Sequence, residues 1–98
     1  MIDKYIIQNR EIASRVIGKE VIMLTPEDGM LHTINETGAL IWKLADGTKT
    51  GADISSMLSS QYGISAARAQ KDVESFLKDL KKKGIIYLLD NPIKFKNR

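Results

Sequence analysis

The sequence has no cysteine, two prolines, one histidine and one tryptophan, and aromatic residues make up only 6% of it. The missing cysteine excludes disulfides, thiolate metal sites and a cysteine nucleophile together. It suits a reducing compartment, and the cytoplasm is the expected location. No apolar run approaches the ~18 residues that a membrane-spanning helix requires. The opening stretch MIDKYIIQNRE lacks the long apolar segment of a secretory signal. No segment repeats, and none is of low complexity. What is present is an ordinary globular balance, 43% hydrophobic and 28% charged over 98 residues, the length of one domain. A domain of this size builds one modest core and leaves little room for a deep, water-excluded cleft.

The formal net charge of +3 is unevenly spread. Residues 1–50 carry six Lys/Arg against seven Asp/Glu, and residues 51–98 carry nine against five. Most of the excess lies in Lys81, Lys82 and Lys83 and in the tail residues Lys94, Lys96 and Arg98. Cations at a helix C-terminus are favoured by the helix dipole, so a solvated helix end accounts for the lysine run. A basic site for an acidic peptide or nucleic acid is the alternative.

Ala13–Ile17 and Glu20–Leu24 read as two short strands around Gly18-Lys19, a two-residue loop with glycine first that suits a type II′ hairpin. Thr25-Pro26-Glu27-Asp28-Gly29 is turn chemistry, and Met30–Ile34 is a third strand, completing an antiparallel meander. At Asn35 the pattern changes to helical. Asparagine caps the first free N–H groups, Glu36 suits the first turn, and Leu40, Ile41 and Leu44 repeat at helical spacing until Asp46-Gly47. Thr50 caps a second helix with an apolar face of Ile54, Met57, Leu58 and Tyr62, stopped by Gly63. Ser65 caps a third and longest helix, whose Ala69, Val73, Phe76, Leu77 and Leu80 form one amphipathic stripe before Gly84. Ile85–Leu89 suits one more strand. The expected fold is α+β and winged-helix-like: a three-stranded antiparallel meander followed by a three-helix bundle. Residues 1–11 read as a loosely tied N-terminal arm, 12–89 as the folded domain, and 90–98 as a basic C-terminal tail opening on Asn91-Pro92.

Catalytic and metal-binding patterns are missing. His32 stands alone with no sequence-nominated partner for a metal or a Ser–His arrangement. Glu27-Asp28 are paired carboxylates in a solvated turn, without the burial that raises a pKa for acid–base work. The glycines form neither phosphate-binding pattern. No catalytic residue, metal site or cofactor is therefore expected. Trp42 is either a cover on the core edge or a partner-facing anchor. Gly38 costs helix stability relative to alanine, which points to close packing against the neighbouring sheet. The third strand carries neither lysine nor proline, the usual devices that blunt a sheet edge. Left open, it accepts an extended peptide as an added strand. The N-terminal arm or the last strand could instead cover it.

The run LHTINETGALIWKLADGTKT, residues 31–50, resembles the signature of the PQQ (pyrroloquinoline quinone) biosynthesis protein D family through Asn35, Thr37, Gly38, Asp46, Gly47 and Thr50. The upstream GKEVIMLTPEDG, Ile54 with Leu58, Tyr62-Gly63 and the late FLKDLKKKGII agree in order, so the resemblance covers about residues 12–89. It implies a RiPP recognition element. Such a domain is a non-enzymatic chaperone that binds the leader part of a ribosomally made precursor peptide by β-strand addition. It presents the peptide to a radical S-adenosylmethionine (SAM) enzyme or another peptide-modifying enzyme. The PQQ pathway, lasso peptides and other modified peptides remain open. Carried onto this chain, the peptide-binding residues are Met30, Leu31, His32, Thr33 and Ile34, with Ala69, Gln70, Val73 and Leu77 as groove candidates, some of which the core must claim. Lys81, Lys82 and Lys83 would attract an acidic leader. No membrane partner is expected, and both a monomer and a dimer are open.

The competing reading is a winged-helix DNA-binding protein. Against it, residues 52–61 of the second helix carry no Arg or Lys, whereas phosphate binding needs several cations in one patch. Arg68, Lys71 and Lys78 on the third helix are interrupted by Asp72, Glu74 and Asp79.

Overall fold

The computed structural model describes residues 2–26 and 28–94. Glu27 of the expected carboxylate pair, and Lys96 and Arg98 of the tail, lie outside them. The elements run β1 (Tyr5–Gln8), β2 (Ala13–Ile17), β3 (Glu20–Thr25), β4 (Met30–Ile34), α1 (Glu36–Leu44), β5 (Asp46–Thr50), α2 (Gly51–Tyr62), α3 (Ala66–Lys82) and β6 (Ile86–Leu89). The expected meander is present as a sheet of order β2-β3-β4. Gly18 takes φ +62° while no described residue other than glycine has positive φ, the pattern of a type II′ turn.

The caps are where the side chains put them. Asn35 accepts from Gly38 N–H at 2.9 Å. Thr50 and Asp53 form a reciprocal capping box, Thr50 Oγ1 accepting from Asp53 N–H at 3.1 Å and Asp53 Oδ2 from Thr50 N–H at 3.0 Å. Ser65 caps α3. On α2, Ile54 and Leu58 are buried, whereas Met57 and Tyr62, expected on its apolar face, are exposed.

The N-terminal arm is not loose. Residues 5–8 form the central strand of a second sheet, order β5-β1-β6. Ile6 is fully buried. Gln8 N–H donates to Ala45 O and Asn9 N–H to Ile85 O, both at 2.9 Å. The Gln8 Nε2 donates to Trp42 O at 2.7 Å and the Asn9 Nδ2 to Gly84 O at 2.8 Å. Four polar groups next to one buried isoleucine thus tie the start of the chain to the ends of α1 and α3. The Asp46–Thr50 connection is also a strand, although Asp and Gly are poor strand formers. It is held by its own side chains: Asp46 Oδ1 accepts from Thr48 Oγ1 at 2.6 Å, and Oδ2 from Lys49 Nζ at 2.9 Å. These two bonds, the threonine's first, hold the Asp46 carboxyl at about 2 rather than the usual 3.8. Near the chain's other end, Ile93 N–H donates to Gly47 O at 2.9 Å, so the described part of the tail is tied to β5.

One core serves both sheets. Val21 and Met23 from the first, Ile6 and Ile86 from the second, Ile41 of α1, Ile54 and Leu58 of α2, and Val73, Leu77 and Leu80 of α3 are all essentially inaccessible to water. Ile6→Ala is expected to lower unfolding stability by about 3 kcal/mol, read from urea denaturation. A loss no larger than that of an exposed substitution would mean that β1 is a detachable arm.

Candidate peptide-binding edge

The two-residue turn at Gly18-Lys19 makes Ile17 and Glu20 a hydrogen-bonded pair, and alternation along the ladder then fixes every strand. Glu20, Ile22 and Leu24 bond to β2, which leaves Val21, Met23 and Thr25 to bond β4. Their Cα partners on β4 are Ile34, His32 and Met30. His32 and Ile34 therefore direct their backbone groups at β3, while Leu31 and Thr33 point N–H and C=O away from it. Among the described residues no strand pairs with that far side. The N-terminal strand and the last strand pair with each other, so neither covers it.

A four-residue turn with its own network sets the start of this edge. The Thr25 hydroxyl, buried at 1% exposure, donates to Asp28 Oδ1. Asp28 Oδ1 also accepts from Met30 N–H at 3.0 Å. Those two bonds, the threonine's first, hold the Asp28 carboxyl below its usual value. A hydroxyl has one proton. With it given to Asp28, the Thr25 oxygen accepts at 3.1 Å from His32 Nε2, which must then carry hydrogen. His32 Nε2 lies 3.4 Å from Asp28 Oδ2 as well. The histidine thus serves the turn. Among the described residues no cluster of metal-binding side chains forms, and no helix is long and apolar enough to cross a membrane.

At its other end the edge meets two helices. A methyl group placed on Gly38 would stand 2.6 Å from Ile34 Cγ2 and 2.8 Å from Phe76 Cε1. The missing side chain lets strand β4, helix α1 and helix α3 close on one point, as the expected packing role requires. Phe76, half-buried against the core, is the α3 side chain that meets Gly38. Three of the four groove residues expected from sequence do not line a free surface. Ala69, Val73 and Leu77 are fully buried in the core. Gln70 is exposed, but six residues of helix place it about 120° around α3 from Phe76. The α3 residue that the structure brings to this junction is Phe76, and its position was available from the sequence. At 100° per residue it lies on the margin of the stripe defined by Ala69, Val73, Leu77 and Leu80, where a side chain is shared between core and surface.

Phe76 is bracketed by two ion pairs on its own stripe, Arg68–Asp72 at 3.9 Å and Lys83–Asp79 at 3.1 Å. Lys83 is thus partly engaged, and Lys81 and Lys82 are exposed. Trp42 lies half-buried against the core, its indole N–H buried without a hydrogen-bond partner.

The sequence profile of the family described as Coenzyme PQQ synthesis protein D (PqqD) matches residues 20–86. The chain belongs to that family. The match spans β3 through the first residue of β6 and includes β4, Gly38 and Phe76. Among curated proteins none matches this PqqD chain at a significant level. Two solved structures share the fold. The first, TbiB1 in complex with the TbiA(beta) leader peptide, has a TM-score of 0.73 and 22% identity, with 82% of this chain and 93% of that one covered. The second, lasso peptide synthetase B1 complexed with the leader peptide, has a TM-score of 0.70 and 24% identity, with 85% and 98% covered.

Substituting Gly38 tests the closure of this junction. In an open helix Gly→Ala stabilises by up to ~1 kcal/mol; here Gly38→Ala is expected to destabilise by about 1–3 kcal/mol through overpacking, with shifted ring resonances for Phe76. A gain in stability would show that Ile34 and Phe76 do not meet there.

Proposed function

We propose that this PqqD-family chain binds the leader part of a ribosomally made precursor peptide as an added strand on β4 and presents it to a peptide-modifying enzyme, a radical SAM protein or another. The observation that carries the reading is the pair of unengaged backbone units at Leu31 and Thr33, lying on the strand that ends beside Phe76. Strand addition takes affinity from main-chain hydrogen bonds and selectivity from pockets for alternate side chains. Leu31 and Thr33 supply the bonds, and the Ile34–Phe76 junction supplies apolar contact. Both fold neighbours are complexes with leader peptides, which supports the same occupant here. The chain's part is to hold and position, raising the peptide's effective concentration at the enzyme; no catalytic step is assigned to it. Its place of action is the cytoplasm, where such precursors are made.

The DNA-binding reading has no support in the site. Helix α2 carries no cation over its whole length.

The test is a titration of isotope-labelled chain with a synthetic peptide for the leader half of a candidate precursor, followed by amide NMR. Shifts are expected at residues 30–34 and around Phe76; shifts confined to α2, or caused by duplex DNA instead, would falsify the assignment. Thr33→Pro removes an outward N–H without touching the β3 ladder and is expected to weaken leader binding about tenfold.

The lysine run makes a separate prediction. Lys81 lies on the far flank of α3 from Phe76, five residues or about 140° around the helix, so it acts as a steering charge rather than a contact. Replacing Lys81, Lys82 and Lys83 by glutamine is expected to lower leader affinity several-fold at low salt and little at high salt. An equal loss at all salt concentrations would count against steering.

A further inference from the structure

The face of the β2-β3-β4 sheet turned away from the core is apolar and uncovered. The strand register puts Ala13, Arg15 and Ile17 of β2, Glu20, Ile22 and Leu24 of β3, and Leu31 and Thr33 of β4 on this side. Ile17 is 53% exposed, Leu24 41% and Leu31 70%. Between them lies a shallow cleft of about 290 Å³, lined by Ala13, Ser14, Arg15, Ile22, Leu24 and Leu31. Scattered surface leucines need no explanation, but contiguous large aliphatics on one sheet face mark a contact surface. Arg15 stands among them, directly opposite Ile22, and forms no ion pair with any described residue. An arginine bordered by aliphatics and engaged in no ion pair, with Glu20 diagonal to it, has the composition of an interface centre, and its open hydrogen-bond donors suit a carboxylate on the other side.

We infer that this outer face docks the peptide-modifying enzyme, through an apolar surface on that enzyme bearing an acidic side chain opposite Arg15. The inference rests on the proposed peptide site, because continuity with it identifies the occupant. Leu31 belongs to both surfaces: its backbone points out of the sheet edge and its side chain out of this face. A strand added at β4 extends the same face by one strand, and alternate side chains of the peptide then stand beside Leu31 and Thr33. A protein seated across Leu24 and Leu31 touches domain and bound peptide at once. Binding of peptide thereby enlarges the surface on which the enzyme sits, so the loaded chain is recognised more tightly than the empty one.

The test places a photo-crosslinking benzoylphenylalanine at position 24 of the full chain, expressed in its native host together with the precursor and the modifying enzyme of the same gene cluster. The expected product is an adduct with that enzyme, lost in Arg15→Glu. With purified components, Arg15→Glu is expected to weaken enzyme binding roughly tenfold while leader-peptide affinity changes by less than about twofold. Leu24→Ser serves as the second variant should Arg15→Glu disturb folding by circular dichroism. An adduct only with a second copy of the chain, an adduct only with the precursor, or no adduct overturns the inference. So does a parallel loss of leader affinity in Arg15→Glu, which would make the face part of the peptide site. Failure of the unsubstituted chain to bind leader peptide would instead overturn the reading on which this one rests.

Discussion

The distance between the open edge of β4 and the third helix is set by one missing side chain. At Gly38 the backbone of α1 lies so close to Ile34 and Phe76 that even a methyl group would overlap both. Helix α1 therefore works as a thin spacer, capped by Asn35 immediately after the strand. Strand, spacer and long helix are consecutive layers around one contact, and a rigid contact of this kind is what lets a sheet edge keep a fixed relation to a neighbouring surface. Closely packed interiors transmit displacement rather than absorb it. A bulkier residue here would have to displace Ile34 or Phe76.

Local signals made the first half of the architecture legible. A glycine-first two-residue loop, a turn rich in Pro, Asp and Gly, three capping side chains and a long amphipathic stripe each act over a few residues, and each feature stands where its chemistry placed it. Of the second sheet only the last strand was legible, for the opposite reason. Its strands Tyr5–Gln8, Asp46–Thr50 and Ile86–Leu89 are four or five residues long and pair across most of the chain. The sequence DGTKT has no intrinsic preference for extended pairing. It becomes a strand because Ile6 must be buried and the Asp46 carboxylate holds Thr48 and Lys49 in place. Tertiary context of that kind leaves no periodicity to read.

The site divides the same way. That β4 forms an edge follows from its position at the end of a meander and from its lack of lysine and proline. Which of its amides are free also follows from sequence, once the hairpin loop fixes the register. On the helix side the core claims Ala69, Val73 and Leu77, because burial and helical spacing coincide there and an amphipathic stripe does not say where its margin lies. Phe76 sits at that margin. Only the close approach at Gly38 shows that the margin on that side, and not the one carrying Gln70, faces the sheet edge.

The pairing of β1 with β6 carries a consequence for synthesis. Residues 5–8 find their partners only at residues 86–89, so the second sheet cannot close until residue 89 has left the ribosome. The meander needs nothing beyond Ile34 and can assemble early, since local hairpins form in microseconds. For the rest of translation the nascent chain carries a finished, unprotected sheet edge and an oily outer face without the buried floor that later steadies them. An edge strand left without a partner is then also the segment most exposed to joining an identical neighbour on a crowded polysome.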